Sequence, residues 1–459
     1  MHSEPYLLDP SADGVHVIWH TDAPASGAVL LDDGRRVEAT SSALVALHDD
    51  DGVRATVYRH WSEVRGLGAG RTSYRVVSVF EDGAAAESGT YTLAPAVPPG
   101  QPVRLLLSSD HQLWRMTPAN LAKVAETVGV ELDGVLFAGD MVGVPARATD
   151  WFDHPNGRGF FAGLTGRADT VIAGRHYRGA PLLQHAPLFP AIGNHEVMGR
   201  TQGHRTLQER FDDPAPDGWD TAAYEELFPV PRGPAGPRWW SRTVGDVFVV
   251  SLFVTRAWRD AVATYDRRGG QFLFERVDAG SPQHSWLTAE LASAAARTAR
   301  FRVVVFHHAS HGLGAHVVPA YTDPVLADGR YAYPIENDVV LRDLAPLFGA
   351  SGVDLVLNGH NHLWNRFRDA SGVNWLESSN VGNSYGAFPG RGDPGGLTPV
   401  LPTVAPLTDP AGTPLPYVAD DDVTVFSVLD SAAGAVHSYR FDTRDPDGPV
   451  VLFDELALH

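Results

Sequence analysis

Val353-Asp354-Leu355-Val356-Leu357-Asn358-Gly359-His360-Asn361-His362 places a short apolar run directly before two imidazoles spaced one residue apart. A run of this length that ends in a turn signal reads as a buried strand. The arrangement recurs four times upstream. Val103-Arg104-Leu105-Leu106-Leu107 leads to Asp110-His111-Gln112, and Val135-Leu136-Phe137-Ala138 leads to Gly139-Asp140. Leu188-Phe189-Pro190-Ala191-Ile192 leads to Gly193-Asn194-His195-Glu196, and Val303-Val304-Val305-Phe306 leads to His307-His308. One Gly-Asp or Gly-His pair is a common turn, and one histidine is usually a satisfied core or surface residue. Five such segments in order, each at a strand end, read differently. The ends of neighbouring strands converge on one sheet edge, where α/β folds place their sites.

Composition narrows the classes of function. With 459 residues, two domains are expected. Apolar residues make up 44%, and no stretch approaches the roughly 18 needed to cross a bilayer, so no membrane association is expected. The absence of cysteine removes disulfides, thiolate zinc sites and cysteine nucleophiles. A formal charge of −19 with no Lys/Arg run disfavours a nucleic acid polymer as partner. Met1 to Pro10 lack a basic start followed by an apolar stretch, so no signal peptide is expected. The chain reads as soluble, either cytoplasmic or exported with its leader trimmed.

From Glu4 to Leu93, short alternating strands with turn signals between them predict an all-β sandwich over residues 1–97. Trp19-His20-Thr21-Asp22, His60 to Leu67 and Tyr74-Arg75-Val76 resemble a fibronectin type III-like module. The Pro-rich segment Ala94 to Pro102 marks the boundary to a second domain at 102–459. There strands alternate with helical patterns at Thr117 to Thr127, Thr221 to Leu227, Pro282 to Thr298 and Asp338 to Phe348. Arg238 to Phe253 reads as a strand pair, which predicts mixed sheets. Gly386 to Tyr417, dense in Gly and Pro, reads as a long irregular loop, either surface filler or a lid.

The ordered segments resemble the calcineurin-like metallophosphoesterase family, whose pattern runs Asp-x-His, Gly-Asp, Gly-Asn-His-Asp/Glu, His, Gly-His-x-His. The resemblance covers most of residues 103–380. It implies an α/β fold, a β-sandwich of mixed sheets flanked by helices, around two divalent metal ions. Asp140 is then the bridging ligand, with Asp110, Gln112 and His362 on one ion and Asn194, His307 and His360 on the other. His360 and His362 lie two apart, so in an extended segment both reach one side. Adjacent strand residues point to opposite sides, so only one of His307 and His308 is expected to ligate; His307 is preferred and His308 is the alternative. His195, beside the ligand Asn194, is the candidate acid or transition-state stabiliser, with Glu196 as a possible orienting partner; a structural role for His195 is the competing reading. His111, Arg115, His311, His316 and Arg366 lie within a few residues of these ligands and are candidates for binding phosphate oxygens.

Within the family, Gly359-His360-Asn361-His362-Leu363-Trp364-Asn365-Arg366 and the leading sandwich are similar to the purple acid phosphatase branch. Two positions depart from it. Gly143 stands where that branch has the tyrosine that binds ferric iron, so the purple colour is expected to be absent. Gln112 replaces the histidine of Asp-x-His and, as a neutral oxygen ligand, tilts the site toward Mn²⁺, Fe²⁺ or Mg²⁺, with Zn²⁺ kept open by the imidazoles. Two dications bring four positive charges and two aspartates return two, which leaves a trap for a phosphate dianion. The expected reaction is hydrolysis of a small phosphorylated substrate, a phosphomonoester first. A phosphodiesterase is the near alternative, and a non-catalytic metal- or phosphate-binding module is the alternative from another class.

Overall fold

The computed structural model describes residues 1–152, 157–197, 221–259, 270–273, 275–309, 312–314, 325–327, 330–332, 334–382, 384, 387, 389 and 396–459. Two mixed sheets face each other. The first runs, strand by strand, Val451–Ala457, Ala435–Asp442, Val423–Asp430, Arg104–Ser108, Gly134–Phe137, Leu188–Pro190, Ser3–Ser11, Gly14–Thr21, Tyr58–Val64, Thr40–Ala43. The second runs Trp240–Val244, Val247–Ser251, Phe301–His308, Leu355–Gly359, Asn374–Ser378, Trp364–Arg368, Thr398–Pro399, with Tyr417–Val418 also paired to Trp364–Arg368.

Side-chain alternation explains why the central strands are apolar throughout. Leu105, Leu107, Leu136 and Phe189 point between the sheets to meet Val303, Val305, Leu355 and Leu357. Leu106, Val135 and Leu188 point outward onto Leu121 and Val124 of the helix Thr117–Val128. Val304, Phe306 and Val356 do the same on the far side, against Leu287, Leu344 and Phe348. The result is the expected α/β sandwich of mixed sheets flanked by helices. Its central strands are parallel and in level register, with Ser108 opposite Phe137, Phe137 opposite Pro190, and His308 opposite Gly359. The carboxyl ends of five strands therefore meet on one edge.

The N-terminal strands form a sandwich with its own core of Leu7, Val17, Trp19, Val29, Val64, Tyr74 and Val76. Nothing in it marks off a separate fibronectin type III-like unit. Ser3–Ser11 lies parallel to Leu188–Pro190, with Leu8 opposite Leu188, so one sheet runs unbroken from these strands into the rest of the molecule. Tyr6, Leu8 and Ile18 also enter the core around the helix Thr117–Val128, joined there by Leu44, Leu47, Ala55 and Val57.

Local structure departs from expectation where polar side chains intervene. The helix expected over Pro282 to Thr298 breaks in two, Pro282–Leu291 and Ala294–Thr298, because Ser293 accepts a hydrogen bond from the Ala296 N–H and caps the second piece. Met116 stands at the N-cap of the helix Thr117–Val128, whose first turn carries Pro118. The described part of the 386–417 segment pairs with the second sheet at Thr398–Pro399 and Tyr417 and reaches the edge of the first, where Val404 and Ala405 both donate to the Phe453 carbonyl. No helix among the described residues is long and apolar enough to cross a membrane.

Arg366, expected near substrate, instead ties the two sheets together. Its guanidinium is 3.0 Å from Asp454 of the outermost strand of the first sheet, with side chains 7% and 0% exposed. Nη2 also donates to the Leu401 carbonyl at 3.3 Å. Arg366→Ala strands a buried carboxylate, so it should lower stability by about 3–5 kcal/mol. Denaturant unfolding with metal analysis should show a lower midpoint and unchanged metal content; a raised KM with unchanged stability would instead return Arg366 to the substrate site.

Candidate metal centre

Each loop at the shared edge is set by close backbone packing. A Cβ on Gly193 would lie 2.2 Å from Asp140 Oδ1, and one on Gly359 would lie 2.5 Å from Asp110 Oδ2. Glycine at these two positions lets the backbone pass beside the carboxylates. Asp110, Gln112, Asp140, His360 and His362 all have positive φ, at 57°, 40°, 57°, 85° and 59°. Left-handed backbone at residues with side chains costs about 1–3 kcal/mol each and persists only where the surroundings enforce it. The strain is gathered on the residues expected to bind metal.

The structure brings those residues together. The ligating atoms of Asp110, Asp140 and His307 lie within 4.8 Å of one another, and those of His307, His308 and His360 do likewise. His307 Nε2 is 3.2 Å from Asp140 Oδ2, and His362 Nε2 is 3.4 Å from Asp110 Oδ1. Asn194 Oδ1 sits 3.1 Å from His307 Nε2, 2.9 Å from His308 Nε2 and 3.0 Å from His360 Nδ1. Both adjacent histidines reach it, because a register shift between Val305 and His308 interrupts the strand alternation. That corrects the expectation that only one of the pair faces the site. Gln112 lies against Asp140, its amide 3.0 Å from Oδ2.

Two carboxylates and four imidazoles, all buried around shared points, fit divalent cations, and the two clusters form sites for two such ions. Burial penalises charge on His307, yet the carboxylates of Asp140 and Asp110 outweigh it and raise its pKa to about 10. Burial likewise penalises the Asp140 carboxylate, but His307 and His195 hold its pKa well below the ordinary range. His307 Nδ1 donates to the Ala138 carbonyl at 2.8 Å, which aims Nε2 at the ligand cluster.

Two buried glutamates hold the loops from behind. Glu196 accepts from the backbone N–H groups of Gly193, Asp140 and Met141 at 2.7, 2.8 and 2.8 Å, thereby joining two ligand loops. Burial and the nearby Asp140 charge raise its pKa to about 7. Glu377 accepts from the Asn361 backbone at 2.7 Å, its side chain at 3.0 Å and the Ser379 hydroxyl at 2.8 Å, all beneath the His360–His362 turn. Burial raises its pKa to about 8. Sequence reading did not single out Glu377. Its one signal was an acidic residue after the strand-like run Val373-Asn374-Trp375-Leu376.

The candidate substrate residues fare differently. His111 turns into the core, bonded to the Ser108 hydroxyl at 3.0 Å and edge-on to Phe137, and burial lowers its pKa to about 3. It is not placed to meet a phosphate. Arg115 is exposed and donates to the Val171 carbonyl at 3.3 Å. Arg366 is the inter-sheet ion pair already described, and His311 and His316 lie outside the described residues. His195 keeps a place at the centre: its N–H donates to Asp140 Oδ1 at 2.8 Å, and its Nε2 is 3.9 Å from Asp140 Oδ2.

Two outcomes follow for the centre. Gly193→Ala should displace the Asp140 carboxylate and lose bound metal while the fold survives, as metal analysis and circular dichroism would show together. Cation binding must also expel the His307 proton, so affinity should rise with pH from neutrality toward about 10, by about tenfold per unit for one proton released. Calorimetry of Mn²⁺ binding to metal-free protein in buffers of different ionisation enthalpy measures that proton.

No protein-family model matches the chain. An uncharacterized protein of Mycobacterium tuberculosis (strain ATCC 25618 / H37Rv) is 29% identical over 304 residues, 65% of this chain and 49% of that one. Purple acid phosphatase 18 of Arabidopsis thaliana is 33% identical over 89 residues, 19% of this chain and 17% of that one. The chain thus spans about half the length of the mycobacterial relative. Among solved structures, purple acid phosphatase PPD1 from yellow lupin (Lupinus luteus) seeds aligns over 98% of this chain and 73% of its own, with TM-score 0.61 and 15% identity. PhoD aligns over 98% and 91%, with TM-score 0.52 and 14% identity. At these identities the likeness is one of fold, and it matches the geometry found at the sheet edge: the chain has a purple-acid-phosphatase-type metallophosphoesterase fold with a site for two divalent cations.

Proposed function

We propose that this chain hydrolyses small phosphoric esters, with monoesters preferred. The observation that supports this reading most directly is Asp140, a buried carboxylate flanked by His307, Gln112 and His195 and shared between loops from three strands. When bound, the two cations supply an acidified water and neutralise charge on phosphoryl oxygens. Asp110 and His362 hold one side of the pocket, while Asn194, His307, His308 and His360 hold the other. The charge balance favours a dianionic monoester over a singly charged diester.

His195 is the group suited to the leaving oxygen. Its Nδ1–H donates to the Gly143 carbonyl at 2.8 Å, which fixes the tautomer and turns Nε2 toward Asp140. Its side chain is 17% exposed, against 0% for His307 and 6% for His362, so it borders the solvent side from which an ester enters. A protonated Nε2 there can deliver its proton to the departing alkoxide.

With Mn²⁺-loaded protein, p-nitrophenyl phosphate should turn over faster than bis-p-nitrophenyl phosphate; the reverse order would make the chain a diesterase, and no turnover of either would leave a binding module. His195→Ala should keep its metal and lose about 10²–10⁴-fold in kcat on phenyl phosphate. The loss on p-nitrophenyl phosphate should be smaller, because p-nitrophenolate departs without a proton. Equal losses on both esters would remove His195 from the acid role.

A further inference from the structure

The carbonyl that orients His195 belongs to Gly143, and the loop carrying it is held by residues from the first 60 of the chain. Within that loop, Val144 N–H donates to Asp150 Oδ2 at 2.8 Å, and Trp151 Nε1 donates to the Pro145 carbonyl at 2.8 Å. Gly143 packs so near Asp150 that a Cβ there would sit 3.3 Å from Oδ2. Arg147 reaches the same carboxylate at 3.6 Å.

The segment 44–57 grips this loop from outside. His48 N–H donates to the Ala146 carbonyl at 2.7 Å, and Ala148 N–H donates to the His48 carbonyl at 2.9 Å, a two-bond bridge along the backbone. Asp50 accepts from the Thr149 hydroxyl at 2.7 Å and lies 3.5 Å from Arg147 Nε. Leu44 and Leu47 enter the same core as Val142, Ala148 and Trp151. Backbone hydrogen bonds from His48 to Ala146 and Ala148, and ion-pair contacts from Asp50 through Arg147 to Asp150, thus meet in the loop whose Gly143 carbonyl holds the His195 ring.

We infer that residues 44–57 are a positioning strap for His195, so that the N-terminal strands help to build the reactive edge rather than merely adjoin it. Asp50 and Asp150 are positioning residues that act through Gly143. The importance of the strap for turnover rests on the proton-donor reading of His195, whereas its effect on the ring itself does not. A fixed ring delivers its proton along one direction, and a misplacement of about 1 Å can cost up to roughly 100-fold in rate.

Two variants test the strap with the metal-loaded protein: Asp50→Ala with Thr149→Val on the exposed side, and Asp150→Asn within the loop. Both should keep metal content and lose kcat on phenyl phosphate by between a few-fold and about 100-fold, with less effect on p-nitrophenyl phosphate. In a His195→Ala background neither should cause further loss, since the group they position is gone. In ¹⁵N-histidine-labelled protein, the His195 Nδ1–H resonance should be sharp in the parent and broadened by exchange in both variants. An unchanged His195 resonance, or losses that add in the His195→Ala background, would overturn the strap. A broadened resonance without leaving-group dependence would uphold the strap and sink the proton-donor reading instead.

Discussion

The structure depends on keeping two carboxylates, Asp110 and Asp140, buried close to a cluster of imidazoles at the meeting edge of two sheets. Charge without water is tolerated only when every neighbour is fixed and oppositely disposed. The backbone supplies part of that order: His360 N–H lies 3.0 Å from Asp110 Oδ2, and His195 N–H lies 2.8 Å from Asp140 Oδ1. A pair of cations held by this donor set would supply the rest.

The same logic explains the architecture behind the loops. The left-handed turns need acceptors for the backbone donors around them: Glu196 accepts from Asp140 and Met141 and Glu377 from Asn361, both from fully interior positions, while Asp110 donates to the Gly139 carbonyl. Each carboxylate serves several donors, so each loop is fixed at more points than its own sequence could manage. Rigid sheets on either side carry this order outward, because the central strands are packed on both faces.

Much of this was legible in the sequence because apolar runs and polar strand ends alternate so regularly. Val303 to Phe306 and Val353 to Leu357 declared buried strands, and the gathering of the candidate ligands after them needed only the rule that strand ends converge. What escaped reading was long-range. Arg366 near a ligand turn looked like a phosphate contact, yet its partner Asp454 is far along the chain and no local pattern joins them. His111 sits between two candidate ligands, but a left-handed backbone at Asp110 and Gln112 turns its ring to Phe137. The shift before His308 defeated simple alternation in the same way. The leading strands read correctly as a sandwich, while their pairing with Leu188–Pro190 left no mark in composition.

That pairing has a consequence for how the chain can be divided. Leu188–Pro190 is an interior strand only because Ser3–Ser11 covers its flank. Were the first ninety or so residues removed, the apolar strand Leu188–Pro190 would become an open sheet margin, a template for self-association. Synthesis meets the same difficulty in reverse, since the earliest strands must wait for a distant partner before their own sheet is complete. One sheet therefore spans the Pro-rich segment, and a cut there would part strands that lie side by side in it.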